Sequence, residues 1–244
     1  EIEKLKKENI DGLIVDLRSN GGGSLKTVVD IGGFFIPKGP IVQVKSSRGS
    51  RDVLSDNDPK TQWDGSLVIL TNELSASASE ILAAAMQDYK RAIIIGGKQT
   101  FGKGTVQSVV DITDNSELKY TNAKWLTPNG NWIHKEGVTP TKEVNLPDYA
   151  FLKIIDARET LKEGSVSQNV LSVETILKGL GYSVTADGYF DSATQEAVKA
   201  YQQKEGLTVT GEVDEETAQK LMNSVRQLIQ ENDTQYQAAK ELLK

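Results

Sequence analysis

The chain has 244 residues, 25% of them charged, with a net charge of −6, one histidine and no cysteine. No cluster of Lys and Arg argues for nucleic acid or an anionic membrane. No apolar run approaches the roughly 18 residues of a membrane helix, and the lack of cysteine excludes disulfides and thiol chemistry. The single histidine, His134 in NGNWIHKEG, leaves a Ser-His-Asp mechanism one candidate, and nothing in the sequence places it beside a serine. A hydrolase built from this chain needs another base.

Taken in order, residues 1–9 (EIEKLKKEN) read as the end of an amphipathic helix and carry no signal peptide, as expected of a fragment or mature product. DGLIVDLR (11–18) is a continuous apolar run of the kind found in a strand buried on both faces. It breaks at SNGGG (19–23), a loop whose backbone N–H groups can approach a bound group closely. Ser24 caps a helix to about residue 35, and IVQVKS (41–46) reads as the next strand of a βαβ-type unit. After a polar excursion at 46–63, SLVILTN (66–72), a helix over 76–89 and RAIIIGG (91–97) continue an α/β layered pattern. From 104 it changes to antiparallel strands, TVQSVVDI and ELKYTNAKWLT, with NWIHKEG as a short hairpin arm. FLKIIDARETLKEG (151–164) reads as a helix ended by Gly164, and SVSQN as a linker.

Beyond 168 an internal repeat appears: Gly188-x-Phe190-Asp191-x-x-Thr194 recurs as Gly211-x-Val213-Asp214-x-x-Thr217, 23 residues on. Each copy is a glycine turn, an apolar anchor and a helix N-terminus, with Asp191 or Ser192 as the first cap and Asp214 as the second. Helices are predicted at 169–180, 192–204 and 214–224, followed by a tail helix striped with Val225, Leu228, Tyr236, Ala239 and Leu243. That stripe has two candidate partners, its own small domain or a second subunit.

Candidate chemistry lies in residues 72–107. Ser77 follows a buried strand at a helix start, where the dipole and unpaired N–H groups favour negative charge. The N–H of Ala78 could serve a developing oxyanion. The alternative is that Ser75, Ser77 and Ser79 are only caps and packing residues. Lys103 sits between two glycines directly after a buried strand, where desolvation would lower an amine's pKa and let it act as base for serine. The alternative is an ordinary surface lysine. Gln107, four residues on, could accept a hydrogen bond from that amine. The near match of GKQTFGKG to a phosphate-binding loop fails, because Gly104 stands where Ser or Thr is needed and a strand follows instead of a helix.

DGLIVDLRSNGGG, SASASEILAAAMQDYKRA and TFGKGTVQ, in this order, closely resemble the C-terminal processing (tail-specific) serine peptidases, and KWLTPNGNWIHKEGVTPT resembles the segment closing their core. The resemblance covers residues 1–147 and implies an α/β core of the crotonase/ClpP-like spiral type. By matching position it makes Ser77 the nucleophile, Lys103 the general base and Gln107 its orienting partner. Gly22 and Ala78 match the oxyanion hole, and Gly23, Glu80, Asp88 and Thr100 match supporting positions. The family uses no metal or cofactor. Three departures stand out: one extra residue in GGKQT, Thr141 where an aspartate usually follows the proline, and no PDZ domain before the first motif.

Residues 168–225 resemble the three-helix peptidoglycan-binding repeat domain, departing from it at Val173-Glu174-Thr175, where a glutamine is usual. The expected organisation is a peptidase core (1–147), a helix and linker (148–167), the small all-α domain (168–225) and a C-terminal amphipathic helix (226–244). The resemblance implies an extracytoplasmic, cell-envelope or secreted endopeptidase acting on proteins with exposed C-terminal tails. Peptidoglycan and a second copy through the C-terminal helices are the expected partners, and nucleic acid is not. The alternative is a catalytically silent cell-wall or dimerisation scaffold.

Overall fold

A strand of four consecutive buried apolar residues frames the first unit. In β4 (Ser66–Leu70), Leu67, Val68, Ile69 and Leu70 are all nearly inaccessible, because both faces of this parallel sheet are covered. The computed structural model describes every residue except 9, 57–61, 114, 115 and 157. It divides the chain into two units, Glu1–Asn145 with Gln235–Lys244, and Leu146–Thr234.

In the first unit, α1 (Ile2–Lys7) leads to β1 (Gly12–Asp16), which among the described residues pairs in parallel with β4 alone. It is an edge strand and only half-buried, so the expectation of burial on both faces is corrected. Ser24 caps α2 (Leu25–Gly32) through the Thr27 N–H. The chain then leaves this sheet. β2 (Val42–Ser46) pairs antiparallel with β3 (Arg51–Leu54), a strand lying within the polar stretch read as a surface excursion. The simple βαβ unit is therefore not formed. α3 (Ala78–Asp88) and β5 (Ile93–Gly96) return to the first sheet, where β5 runs parallel to β4.

β6 (Thr105–Thr113) and β7 (Ser116–Leu126) form a long hairpin that joins β2, giving the order β3-β2-β7-β6. No strand forms over 131–138, so the expected hairpin arm is a run of turns. β8 (Lys142–Glu143) closes the parallel sheet, order β1-β4-β5-β8. α3 is buried from Ala78 to Met86, and its alanines at 83–85 let it lie between neighbours without steric conflict.

The second unit opens with a 3-10 turn (Asp148–Phe151), not with the helix predicted over 151–164. The reason is tertiary. Ile155 and Leu161 are both buried at a spacing that no single helix face provides. Leu161 exchanges both backbone hydrogen bonds with Val213, and Phe190 bonds Gly164 and Ser165. The SVSQN stretch is likewise part of the unit, with Ser167 capping the next helix, α4 (Gln168–Gly179).

α5 (Ser192–Glu205) and α6 (Glu215–Glu231) start at Asp191 and Asp214, whose carboxylates accept the Thr194 and Thr217 N–H groups. Phe190, Tyr201, Val213 and Leu221 fill the centre. The expected single tail helix over 226–244 is two helices. α6 runs seven residues past its predicted end at 224, and α7 (Thr234–Leu242) belongs to the first unit from Gln235 on. There Ala239 is buried with Val68, Leu70 and Ile95, and buried Gln235 donates to Val144 O and accepts from Arg18. Val225 and Ala239, read as one stripe, serve different cores.

Candidate active site

Two loops leave the C-terminal ends of the adjacent parallel strands β1 and β4, the place where open α/β sheets commonly present their sites. Ser19 N–H donates to Asn72 Oδ1, and Asn72 Nδ2 donates to Ser19 Oγ. Ala76 N–H donates to Asn20 O at 3.0 Å, and Ser75 Oγ donates to Leu17 O at 2.7 Å. Sequence positions more than 50 apart are thereby fixed against each other.

The three serines separate cleanly. Ser75 and Ser79 are buried, at 0% and 4% exposure, and Ser75 is spent on the loop–loop bond. Ser77 is half-exposed at the N-terminus of α3. Its backbone has φ 56 and ψ −116, a conformation that an L-residue adopts only at a cost of about 1–3 kcal/mol. The sharp turn that requires it sits between β4 and α3.

Glu80, fully buried one turn into α3, organises the surroundings. Its Oε2 accepts the N–H groups of Ser77 and Lys103, each at 2.8 Å. Its Oε1 accepts Thr100 Oγ1 at 2.5 Å and Gly102 N–H at 2.6 Å. The backbone nitrogens of Ser77 and Lys103 are therefore no farther apart than twice one hydrogen bond. Phe101 N–H adds a bond to Ser75 O. Four donors satisfy a buried charge, at about 1.5–3 kcal/mol for each charge-assisted bond. The extra residue of GGKQT lies just ahead of these anchors, so the loop is pinned after it. Thr100 also accepts Val138 N–H on its hydroxyl. The expected supporting roles of Glu80 and Thr100 thus have a defined form: they join the turn carrying Ser77 to the loop carrying Lys103.

Gly22 packs directly on Ser77. It has φ +96, and a Cβ there would lie 2.6 Å from Ala76 O and 2.7 Å from Ala78 N. Only glycine permits this approach. Its N–H donates to Asn20 Oδ1 at 2.9 Å, an acceptor that an oxyanion would have to replace. Ala78 is the first residue of α3, so its N–H has no acceptor within the helix. Beside the two opens an apolar recess of about 150 Å³ lined by Leu17, Val28, Ile31 and Leu82. Gly23 is on its rim, where a side chain would meet nothing.

Lys103 is half-buried. Gln107 is exposed on β6, at an irregularity of the β6–β7 ladder between Val106 and Gln107, and stands outside the Glu80 cluster. Asp88 is at the far end of α3, where it accepts Asn129 N–H, about 16 Å along the helix from Ser77 at 1.5 Å per residue.

The sequence put His134 beside no serine and did not indicate its place in the fold. It lies against the lysine loop, its Nδ1 accepting Gly104 N–H at 3.3 Å, and its ring stacks on Trp132 at 5.2 Å. No local pattern could have indicated it, because the partner is 30 residues away.

Residues 1–144 match the model of peptidase family S41. The chain belongs to peptidase family S41. Residues 166–221 match the model described as "Putative peptidoglycan binding domain". Among similar proteins, the carboxy-terminal processing protease CtpA of Bacillus subtilis is 40% identical over 244 residues, covering 100% of this chain and 52% of the relative. A "Probable CtpA-like serine protease" of Staphylococcus epidermidis is 37% identical over 236 residues, covering 96% of this chain and 48% of the relative. The chain thus spans about half the length of the curated relatives it matches. A solved photosystem II D1 C-terminal processing protease superposes with a TM-score of 0.54 at 39% identity, over 58% of this chain and 36% of that one. A lipoprotein from Streptococcus agalactiae shares the fold, with a TM-score of 0.51 at 21% identity, over 60% of this chain and 55% of that one.

Proposed function

We propose that the protein is a serine endopeptidase of the S41 type in which Ser77 is the nucleophile and Lys103 its general base. The observation that supports this most directly is the shared Glu80 oxygen, which ties the backbone of Ser77, the half-exposed one of the serines at 75, 77 and 79, to that of the lysine. In the proposed cycle, neutral Lys103 Nζ takes the Ser77 proton as Oγ attacks the substrate carbonyl carbon. The N–H groups of Ala78 and Gly22 receive the oxyanion, Gly22 turning from Asn20. The ammonium then protonates the leaving amine, and water, deprotonated by the same amine, hydrolyses the acyl-enzyme. Gln107 orients the amine, and the apolar recess takes the side chain before the scissile bond.

The family and the relatives' names support cleavage near protein C-termini. The second match supports peptidoglycan binding by the helical unit and a place in the cell envelope. A homodimer through the C-terminal helices would have to use exposed Tyr236 and Leu242, because Ala239 is buried within the chain.

The test is cleavage of β-casein by the intact protein. Ser77→Ala and Lys103→Ala are each expected to abolish turnover, and full activity in either contradicts the assignment.

A further inference from the structure

We propose that His134 is a positioning residue for the Ser77/Lys103 pair, one that holds the lysine loop only while its imidazole is neutral. The proposal rests on the catalytic reading above.

The backbone around Lys103 is held at all six polar groups from Gly102 N to Gly104 O. Gly102 and Lys103 N–H donate to Glu80. Gly102 O accepts Lys135 N–H at 2.8 Å. Lys103 O accepts Trp125 Nε1 at 2.8 Å, and Gly104 O accepts Trp132 Nε1 at 2.9 Å and Trp125 N–H at 3.2 Å. The sixth group, Gly104 N–H, has His134 Nδ1 as acceptor. Packing leaves the loop little room for another arrangement. A Cβ on Gly104 would lie 2.8 Å from both His134 Cβ and Trp132 Nε1. With its backbone fixed on every side, Lys103 has only its side chain left to move.

Of these six anchors, the imidazole is the one whose hydrogen-bonding character reverses in the neutral-to-mildly-acid range. Imidazoles as a class gain a proton at about pH 6.5, after which both ring nitrogens are donors. Gly104 N–H would then face another donor across 3.3 Å and would lose its acceptor. The surrounding charges are of both signs. Lys103 is on the loop itself. Lys124 of β7 lies 4.4 Å over the Trp132 ring that stacks on His134. Lys135 and Glu136 follow His134, and Glu80 of α3 holds the far side of the loop. A protonated ring would thus add a positive charge next to the loop that carries Lys103, with Lys124 over the ring it stacks on.

The consequence is a second proton in the acid limb of the activity profile. Protonating Lys103 alone lowers kcat/KM about tenfold per pH unit; adding His134 makes the fall steeper below the imidazole range. His134→Asn places an amide oxygen at the Nδ1 position, accepting the Gly104 N–H without titrating. His134→Phe keeps the stacking shape and removes the acceptor.

The experiment is β-casein cleavage by the intact protein between pH 5 and 8.5, with tryptophan emission of the Ser77→Ala protein over the same range. In wild type the acid limb is expected to steepen toward about a hundredfold per unit, and in His134→Asn to remain near tenfold. His134→Phe should lose at least about tenfold in kcat at pH 8 with KM little changed. Tryptophan emission, to which Trp132 contributes through its stacking on His134, should titrate in Ser77→Ala and stop titrating when His134→Asn is added. A two-proton limb retained in His134→Asn, wild-type kcat in His134→Phe, or flat emission in Ser77→Ala would each overturn the proposal. Failure of the catalytic reading is separate: active Ser77→Ala or Lys103→Ala proteins would reveal it, whereas the emission needs no turnover.

Discussion

Glu80 is the residue on which the site's geometry turns. Both of its oxygens carry two donors, so a neutral amide cannot replace it. In Glu80→Gln the NH₂ group would face either the Ser77 and Lys103 N–H groups or Gly102 N–H with Thr100. The first orientation leaves two N–H groups unsatisfied and the second leaves Gly102 N–H, since the Thr100 hydroxyl can accept, at about 1–3 kcal/mol for each lost donor. We expect a clear drop in the thermal midpoint and a loss of at least about a hundredfold in β-casein turnover, since small misplacements of a base are costly. A variant with wild-type midpoint and rate would show that Glu80 does not position the pair. The turns that carry Ser77 and Lys103 were legible in the sequence because each follows an apolar run. The function of Glu80 was not, since its partners at 77, 100, 102 and 103 converge only on folding. The contact between His134 and Gly104 was equally hidden, because the two are 30 residues apart.

At the scale of elements, the internal repeat shows how sequence pattern becomes structure. Gly188 and Gly211 both have positive φ, and Asp191 and Asp214 both cap helices. Each turn wraps one buried side chain. Glu174 accepts Asp187 N–H, Gly188 N–H and Thr194 Oγ1. Gln202 accepts Thr210 and Gly211 N–H and donates to Thr217 Oγ1, the equivalent positions 23 residues on.

Burial pushes the Glu174 carboxyl above its usual value, against the opposing pull of the Gly188 and Asp187 N–H groups. A carboxyl raised in the folded state contributes stability that is complete below the unfolded value and is lost as pH rises through the folded one. Glu174→Gln, with its amide disposed like Gln202, is therefore expected to raise the midpoint of the helical unit by a few degrees at pH 7. That gain should shrink toward pH 4. Thermal scans of the chain at the two pH values check this, and a variant less stable at pH 7 contradicts it.

The elements with strong period, such as β4, α3 and the paired β6 and β7, were readable from sequence alone. The 151–164 segment was not, because Leu161 takes its partner from Val213 and local helix propensity is overridden. The division of the tail into α6 and α7 was equally hidden, because Ala239 finds Val68, Leu70 and Ile95 far away in the chain.

At the scale of the molecule, one chain carries an S41 core and a helical unit matching a peptidoglycan-binding model. The core's chemistry is the claim on which the rest depends. It is tested most directly by treating the intact protein with a fluorophosphonate in the presence of β-casein and mapping the adduct by peptide mass. The account predicts a single adduct on Ser77, formed at least about a hundredfold more slowly in Lys103→Ala. An adduct on Ser75 or Ser79, or equal labelling rates with and without Lys103, would contradict it.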